Sequence, residues 1–368
     1  MKKIVIFNSH WCSGGVEALR VSILENLKDE ELSFTILATQ KETDIFDQRL
    51  KNINVPLKTV LNKTYNNPII RTYKNTKALK KALKELNPDI IHINASNAVG
   101  FKYAKIAKKA CNSITIVHSH NASIVNDKLK LKLKMHNHWK NKYYKFADYK
   151  FACSDLAAKF VFKDINNVYY LKNGVDASKF DYNLSFRKEI RDEFNIKDDE
   201  ILLGHIGRFS EQKNHKFLIN IFNELNKKSP NKYKLMLVGE GETKEEIINL
   251  INEYKLNDRI IDAKVRNDTY KLYQAFDIFL LPSLHEGLPV VGVEAQASGL
   301  KCLFANTITK EAKIVDSLIY LPIDDVNIWV NEIINSNIER TSTKEIIKSK
   351  GFDIKEEANK LKDFYKSL

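Results

Sequence analysis

The chain has few cysteines, glycines and prolines, and it has no long apolar segment. Its cysteines, Cys12, Cys111, Cys153 and Cys302, lie far apart, and no pair has the spacing of a zinc or redox motif. No run approaches the roughly 18 apolar residues that a spanning helix requires. The first nine residues hold too short an apolar run for a signal peptide. We therefore expect a cytoplasmic protein with reduced thiols.

Low-complexity and disordered classes are excluded by composition, because 43% of the 368 residues are hydrophobic and only 12 are Gly and 7 Pro. The length suits two domains of about 150 to 200 residues each. Short apolar runs alternate with helical patterns, which indicates α/β architecture with parallel sheets. One series spans the strands predicted at 3–7 through 114–117, and a second spans those at 201–206 through 278–281. Two doubly wound domains are predicted, with a turn-prone boundary at 173–176.

The formal net charge of +13 belongs to the first half of the chain. Residues 1–175 hold 30 basic and 14 acidic side chains, whereas the remainder holds 29 and 32. Ten basic residues and no acidic one lie between Asp47 and Glu85, and lysines alternate with Leu, Trp and Tyr over 128–145. Such a pattern suits an anionic membrane surface, and a solvated face is the alternative. No nucleic-acid-binding motif accompanies the charge, so nucleic acid is not an expected partner.

The strongest motif is a loop that follows a predicted strand and opens a helix, with Glu286 and Glu294 separated by seven residues. Free backbone N–H groups at a helix N-terminus can hold an anion while two carboxylates address other parts of the same ligand. The alternative is that both glutamates only favour the start of the helix through its dipole.

A second loop places Arg208 and Lys213 directly after another predicted strand. Arg can bind a diphosphate in a bidentate manner, and Lys can bind it as a point charge. A solvated loop pair is the alternative. The position favours binding, because ligands of open α/β sheets lie outside the carboxyl ends of the strands.

Together these motifs resemble the retaining family 4 glycosyltransferases with the GT-B fold, in particular the bacterial exopolysaccharide and capsular-polysaccharide branch. The resemblance covers nearly the whole chain. Its further motifs are Gly14–Glu17, Pro88–His92, His118–Asn121, Asn173–Asp176, Val238–Glu242, Val265–Asp268, Asp277–Gly299 and Thr307–Glu311.

The resemblance implies a role for each matching residue. The departing diphosphate would be stabilised by Arg208 and Lys213, while Glu286 and His118 would face the transferring sugar; these four form the implied catalytic set. Donor-binding residues would be Gly14, Gly15, Arg208, Lys213, Gly239, Arg266, Glu286, Val290, Val291 and Glu294. His120, an alternative to His118, and Asn94 are candidates on the acceptor side.

Two positions depart from the family pattern. Pro289 stands where many relatives have Gly, which removes one N–H donor from the phosphate-binding loop. Asp262-Ala263-Lys264 replaces a Phe-x-Gly sequence that often precedes the base-contacting segment, which leaves the base open.

The expected architecture is α/β of the GT-B type, with two doubly wound Rossmann-like domains facing a central cleft. Residues 1–174 would bind the acceptor, with the C-terminal helix 354–368 packed back on them, and residues 175–353 would bind the donor. The expected enzyme is a hexosyl- or N-acetylhexosaminyl-transferase that uses a nucleotide sugar, with a UDP-sugar favoured, and a lipid-diphosphate-linked or other glycan acceptor. It would act in exopolysaccharide or capsule synthesis at the inner face of the membrane.

No metal or other cofactor is expected, because the sequence has no Asp-x-Asp pair and Arg208, Lys213 and helix N-termini can balance the leaving charge. Two alternatives remain open. One is a nucleotide-sugar epimerase of the same architecture, and the other is a non-catalytic, membrane-associated subunit that binds sugar nucleotides.

Overall fold

The chain folds into two compact units. The computed structural model describes residues 1–27, 29–61, 68–121 and 129–368, and for residues 68–71 and 129 the backbone alone. Unit 1 comprises Met1–Lys172 and Lys355–Leu368, and unit 2 comprises Asn173–Ile354. Parts of the two predicted basic segments, residues 62–67 with the side chains of 68–71, and Lys128 with the side chain of Leu129, lie outside the described residues.

Each unit is built on one parallel sheet. The strands of unit 1 are β1 (Lys2–Trp11), β2 (Leu32–Lys41), β3 (Leu57–Thr59), β4 (Ile90–Ala95), β5 (Ile114–Ser119), β6 (Tyr149–Ala152) and β7 (Val168–Tyr170). Those of unit 2 are β8 (Ile201–Ile206), β9 (Tyr233–Val238), β10 (Ile260–Asp262), β11 (Ile278–Leu281), β12 (Lys301–Ala305) and β13 (Leu318–Leu321).

Helices connect the strands as crossovers. In chain order they are α1 (Gly15–Asn26), α2 (Asp47–Asn52), α3 (Pro68–Leu86), α4 (Val99–Cys111), α5 (Leu129–Tyr143), α6 (Asp155–Val161), α7 (Ala177–Phe180), α8 (Leu184–Glu193), α9 (His215–Lys228), α10 (Lys244–Glu253), α11 (Thr269–Ala275), α12 (Val290–Ala297), α13 (Val326–Asn335), α14 (Lys344–Ser349) and α15 (Ile354–Ser367). Short 3-10 turns lie at Tyr144–Phe146, Glu211–Lys213 and Lys310–Ala312.

The strand order reverses direction once in each sheet. It is β3-β2-β1-β4-β5-β6-β7 in unit 1 and β10-β9-β8-β11-β12-β13 in unit 2. The predicted doubly wound α/β architecture is therefore confirmed. The reversal lies between β1 and β4 in unit 1 and between β8 and β11 in unit 2, and loops that leave neighbouring strands there diverge to opposite faces of the sheet. Such switch points are where ligands of this architecture bind.

Both cores are apolar layers between sheet and helices. Central strands such as β4, β8 and β11 are buried over almost their whole length, which matches their largely apolar sequences, and β4 also carries the buried His92 and Asn94. At Gly204 in β8 a Cβ atom would lie 2.2 Å from the ring of Phe276, so only glycine lets this ring pack against the strand.

The C-terminal helix α15 belongs to unit 1 although it ends the chain. Its Phe364 ring packs edge-on against Phe151, with centroids 4.9 Å apart, and against Tyr169 at 4.6 Å. Lys2 Nζ donates to the carbonyl of Tyr365 at 3.2 Å. The helix thus covers β6 and β7 of unit 1 and meets the start of β1.

A buried ion cluster lies at the beginning of the neighbouring strands β8 and β11 in unit 2. The Asp277 carboxylate accepts from Arg187 Nη2 at 2.7 Å and from the Leu202 backbone N–H at 2.7 Å. Arg191 Nη1 lies 3.4 Å from its second oxygen. The Asp277 and Arg191 side chains are 6% and 5% exposed, so loss of either leaves a charge stranded from water.

We expect Asp277→Ala to lower the free energy of unfolding of unit 2 by about 3 kcal/mol, because Arg191 stays buried without its counter-ion. Glu224→Ala, which removes the exposed partner of Lys227, should cost less than about 0.5 kcal/mol. Urea unfolding is followed by the fluorescence of Trp329, buried in unit 2, after Trp11 and Trp139 are replaced by Phe. Equal losses in the two variants would contradict a structural role for the cluster.

Candidate functional site

The two strongest sequence motifs lie at the switch point of unit 2. The loop after β8 carries Arg208 and Lys213, and the loop after β11 carries Glu286. Because β8 and β11 are hydrogen-bonded neighbours in the sheet, their carboxyl ends present these loops side by side. Both loops therefore lie outside the carboxyl ends of their strands, where ligands of open α/β sheets bind.

Lys213 and Glu286 form a direct ion pair. Lys213 Nζ donates to Glu286 Oε1 at 2.6 Å, and the two side chains are only 15% and 11% exposed. A pair so withdrawn from water interacts more strongly than a surface pair, and neither charge is readily left alone. Lys213 is therefore not part of a solvated loop pair, because its side chain is largely buried. Glu286 also forms an isolated backbone bridge with Ile308, in the loop after β12.

Backbone and amide contacts hold the two loops together. Leu284 N–H donates to the Gln212 carbonyl at 2.8 Å, and Gln212 Nε2 donates to the His285 carbonyl at 3.0 Å. Asn214 Nδ2 donates to the Pro282 carbonyl at 3.2 Å. Gln212 and Asn214 were not singled out from the sequence. Their position beside Lys213 in the same loop was the available signal.

Arg208 lies apart from this pair and is open to solvent. Its Nε donates to Glu242 at 3.2 Å, and both side chains are 59% exposed. Exchange of an exposed carboxylate for a doubly charged phosphate group costs little, so Arg208 is available to an anionic ligand. Within the described residues, Arg208 and Lys213 pair with different carboxylates, those of Glu242 and Glu286.

Gly239 follows β9 and lets its turn approach the β8 loop. Its φ is +148°, and a Cβ atom there would lie 2.1 Å from the Gly207 carbonyl oxygen. The Gly239 N–H donates to the carbonyl of Lys264, at 2.9 Å. A side chain at this position is incompatible with the observed backbone path. This close approach explains why the position is occupied by glycine. The role of Gly239 in donor binding stays a prediction.

The helix α12 begins directly after Pro289 and contains Val290, Val291 and Glu294. The first N–H groups of a helix have no carbonyl one turn earlier within it, so those of Val290 and Val291 are oriented for an anion. Tyr273 was missed by sequence reasoning. Its hydroxyl lies 2.9 Å from Glu294 Oε2 and 3.1 Å from the Val291 carbonyl, which holds the carboxylate in place. Burial first, and then the Glu294 charge, raises the pKa of Tyr273, so the phenol keeps its proton.

Arg266 is engaged by two acidic side chains. Its guanidinium donates to Asp268 at 2.7 Å and to Glu193 at 2.5 Å. The hydrogen bonds to Asp268 and then to Glu193 raise the pKa of Arg266. Its contact with a nucleotide base stays a prediction.

In unit 1, the turn formed by Gly14 and Gly15, here called the glycine turn, lies next to the buried carboxylate of Glu17. Gly14 precedes α1, and a Cβ atom there would lie 2.6 Å from Glu17 Oε2, whereas Gly15 is the first residue of the helix. Asn8 Nδ2 donates to Glu17 Oε1 at 3.0 Å, and Asn94 Nδ2 donates to Asn8 Oδ1 at 2.9 Å. Burial raises the pKa of Glu17 above its usual value.

The two candidate histidines lie at the end of β5, next to Asn94. His118 is fully buried and His120 is 7% exposed, and their rings stack with centroids 4.1 Å apart. His120 Nε2 lies 3.0 Å from Asn94 Oδ1. The preference for His118 as the group nearest the sugar stays a prediction, although His120 is the more exposed of the two.

Sequence reasoning missed Arg20, which contacts both histidines. Its Nη2 lies 2.6 Å from His118 Nδ1 and 3.1 Å from His120 Nε2, and Arg20 is only 1% exposed. Burial lowers the pKa of Arg20 to about 10, so it remains a cation at neutral pH. No local pattern in the sequence marks it, because the two histidines lie 98 and 100 positions away along the chain.

No group of three or more His, Cys, Asp or Glu side chains within the described ranges could hold a metal ion. Over the same part of the chain, none of the helices is long and apolar enough to cross a membrane.

Two family models cover most of the sequence. "Glycosyltransferase Family 4" matches residues 13–179, and "Glycosyl transferases group 1" matches residues 186–318. Among curated proteins, the chain is 27% identical to "Putative glycosyltransferase EpsF" of Bacillus subtilis, over 99% of this chain and 96% of that protein. It is 23% identical to "UDP-Gal:alpha-D-GlcNAc-diphosphoundecaprenol alpha-1,3-galactosyltransferase" of Escherichia coli, over 95% of this chain and 93% of that one.

Solved structures share the fold. Anabaena Alr3699/HepE in complex with UDP and glucose superposes with a TM-score of 0.80 at 17% identity, over the whole of both chains. Sucrose-phosphate synthase from Thermosynechococcus elongatus superposes with a TM-score of 0.79 at 16% identity, over 100% of this chain and 99% of that one. With both halves matched by glycosyltransferase models and the two Rossmann-like sheets of the GT-B fold in place, the chain belongs to the family 4 glycosyltransferases.

Proposed function

We propose that this protein transfers a hexosyl or N-acetylhexosaminyl group from a UDP-sugar to a lipid-linked glycan, with retention at the anomeric carbon. The observation that carries the proposal is the Lys213–Glu286 pair at the switch point of unit 2, with Arg208 exposed in the same loop as Lys213. It combines a cationic site for a diphosphate with a carboxylate for the attached sugar.

In this reaction, the bond between the sugar's anomeric carbon and the diphosphate breaks and a bond from that carbon to the acceptor's hydroxyl oxygen forms. The hydroxyl proton leaves with the diphosphate, on whose oxygen negative charge develops. Arg208 and Lys213 supply fixed positive charge for it, together with the N–H groups at the start of α12. When Lys213 turns to the phosphate, Glu286 becomes available to the sugar hydroxyls. Glu294, oriented by Tyr273, is placed for the ribose.

The donor and acceptor classes are supported by the relatives. The E. coli relative is named for a UDP-Gal donor and a diphosphoundecaprenol-linked acceptor. The similar Anabaena protein binds UDP-glucose in its crystal structure. Relatives include "Amylovoran biosynthesis glycosyltransferase AmsD" of Erwinia amylovora, which supports a role in exopolysaccharide or capsule synthesis.

A basic, partly apolar face of α5 supports action at the inner surface of the cell membrane. Leu131 and Met135, one helical turn apart, are 58% and 42% exposed, and exposed lysines flank them. The other side of the helix is anchored, because the buried His136 ring accepts from the Ala98 N–H at 3.2 Å and lies 3.1 Å from the Phe160 carbonyl. Apolar side chains among lysines suit anionic lipid.

Glu286→Gln and Arg208→Ala should each lower kcat by roughly 10² to 10³, because each removes a group that stabilises the transition state. Lys227→Ala, which removes an exposed lysine of α9, is the matched control and should transfer sugar at the wild-type rate. Transfer from a panel of UDP-sugars to lipid-diphosphate acceptors is measured, with UDP-induced thermal stabilisation as the binding readout. Unchanged transfer in both site variants would contradict the assigned site. A wild-type protein that binds UDP but transfers no sugar would favour the non-catalytic subunit, and epimerised donor without acceptor would favour the epimerase.

Chelation should leave turnover unchanged, since Arg208, Lys213 and the α12 N-terminus already balance the charge of the leaving diphosphate. Initial rates are compared with and without EDTA, after prior dialysis against the chelator. A loss of turnover that Mg²⁺ or Mn²⁺ restores would overturn metal-independent transfer.

Vesicles of phosphatidylcholine with phosphatidylglycerol should carry the protein upward in flotation, whereas vesicles of phosphatidylcholine alone should not. Leu131→Ser combined with Met135→Ser should weaken this binding, because the apolar side chains no longer enter the interface. Leu184→Ser in unit 2, at a residue that is 70% exposed, is the matched control. Flotation that ignores lipid charge, or an equal loss in the control, would contradict docking through α5.

A further inference from the structure

His118 lies in a buried group of side chains that three other elements of unit 1 contribute. Arg20 from α1 places Nη2 at 2.6 Å from His118 Nδ1, and His92 from β4 places Nε2 at 3.0 Å from the same atom. Tyr365 from α15 places its hydroxyl 2.7 Å from His92 Nδ1. His118, His92 and Tyr365 are 0% exposed, and Arg20 is 1% exposed.

The chemistry of arginine sets the direction of these hydrogen bonds. A guanidinium has only N–H donors, so His118 Nδ1 must be the acceptor in its contact with Arg20. A neutral imidazole that accepts at Nδ1 carries its proton on Nε2. The geometry therefore selects one of the two tautomers of His118.

The same argument extends to α15. His92 Nε2 contacts an acceptor, so it must donate, and a neutral His92 then accepts at Nδ1 from the Tyr365 hydroxyl. Burial lowers the pKa of His92 and of His118 well below the usual value, which keeps both rings neutral. Burial raises the pKa of Tyr365, so its hydroxyl keeps the proton that it donates. The bonds run in one direction, from Tyr365 through His92 to His118.

The chain of donors ends on an atom without a protein partner. His118 Nε2 is buried and has no hydrogen-bond partner within the described part of the chain. Among the described residues, the other titratable groups near it are His120, stacked on its ring, and Cys153 and Glu17, which interact with Arg20 at longer range. A buried donor left unpaired is costly, and such groups are rare in native proteins, so that a functional partner is one of the few explanations for them.

We propose that Arg20 and Tyr365 are positioning residues that hold His118 as the Nε2–H tautomer, so that it offers the substrate a hydrogen-bond donor and does not act as a base. The proposal rests on the proposed function, in which His118 faces the transferring sugar. Its partner would be an oxygen of the donor, either a sugar hydroxyl or a phosphate oxygen. The C-terminal helix thereby takes part in the site through the Tyr365 hydroxyl.

The tautomer is measured directly by nitrogen NMR on the full-length protein labelled at histidine. At about pH 7, His118 should be neutral with its proton on Nε2, with and without UDP. Its signal is assigned by its loss in His118→Gln. Tyr365→Phe together with Arg20→Met should release the ring to a mixture of tautomers, because both sources of donation to Nδ1 are weakened. A wild-type His118 protonated on Nδ1, or on both nitrogens, would overturn the proposal.

Two amide variants separate a donor from a base in the reaction itself. His118→Gln carries an N–H donor near the position of Nε2, whereas His118→Asn reaches only the position of Nδ1, and neither amide can accept a proton as a base. With UDP-induced thermal stabilisation confirming that both fold, Gln should retain a kcat at least about tenfold above that of Asn. Equal loss in both would contradict the donor role. Absence of transfer by the wild type would instead refute the proposed function, while the NMR result would still decide the tautomer.

Discussion

The ion pair between Lys213 and Glu286 determines the geometry of unit 2 around its switch point. It joins the loops that leave two neighbouring strands, and its side chains are 15% and 11% exposed. Neither charge can remain so far from water without the other or a substitute ligand. The positions of the two loops are therefore interdependent, and Gln212 and Asn214 reinforce the contact through backbone carbonyls. In the proposed function a diphosphate replaces the Glu286 carboxylate at Lys213, which would couple donor binding to release of Glu286.

Among its described residues, unit 1 stabilises its buried cation without a direct ion pair. Arg20 carries a buried charge, yet its contacts are to the neutral rings of His118 and His120. The compensation comes from a network of hydrogen-bonding side chains, and such networks stabilise one arrangement over its alternatives. Asn8, Asn94 and Glu17 continue the polar layer beneath the glycine turn. Unit 2 thus pairs its buried charges directly, whereas unit 1 surrounds its buried cation with neutral hydrogen-bonding side chains.

The distribution of charge follows the structural division. Unit 1 holds 34 basic and 17 acidic residues, whereas unit 2 holds 25 and 29. Unit 2 carries Arg208 and Lys213, its two proposed ligands for a diphosphate, in one loop at the strand ends. The excess in unit 1 lies largely on exposed faces such as that of α5, away from the polar layer around Arg20. In the proposed function, the two kinds of positive charge bind different partners, one a compact anion and the other an extended surface.

The strands were predictable from the sequence because strands that are buried on both faces have nearly continuous apolar sequences. Those at 201–206 and 278–281 were predicted with the bounds that the structure has, whereas β1 continues to Trp11, beyond its apolar run, since pairing with β2 extends it. Arg208, Lys213, Glu286 and Glu294 were identifiable because their loops directly follow such runs. Tyr273, Arg20 and the role of His92 were not, because no local pattern marks a side chain whose partner is remote. Lys213 meets Glu286 across 73 positions and His92 meets Tyr365 across 273. By itself the sequence determined which strands form and which charged side chains follow them; only the tertiary structure decided which of these meet, because strand order, and not distance along the chain, sets which strand ends are neighbours.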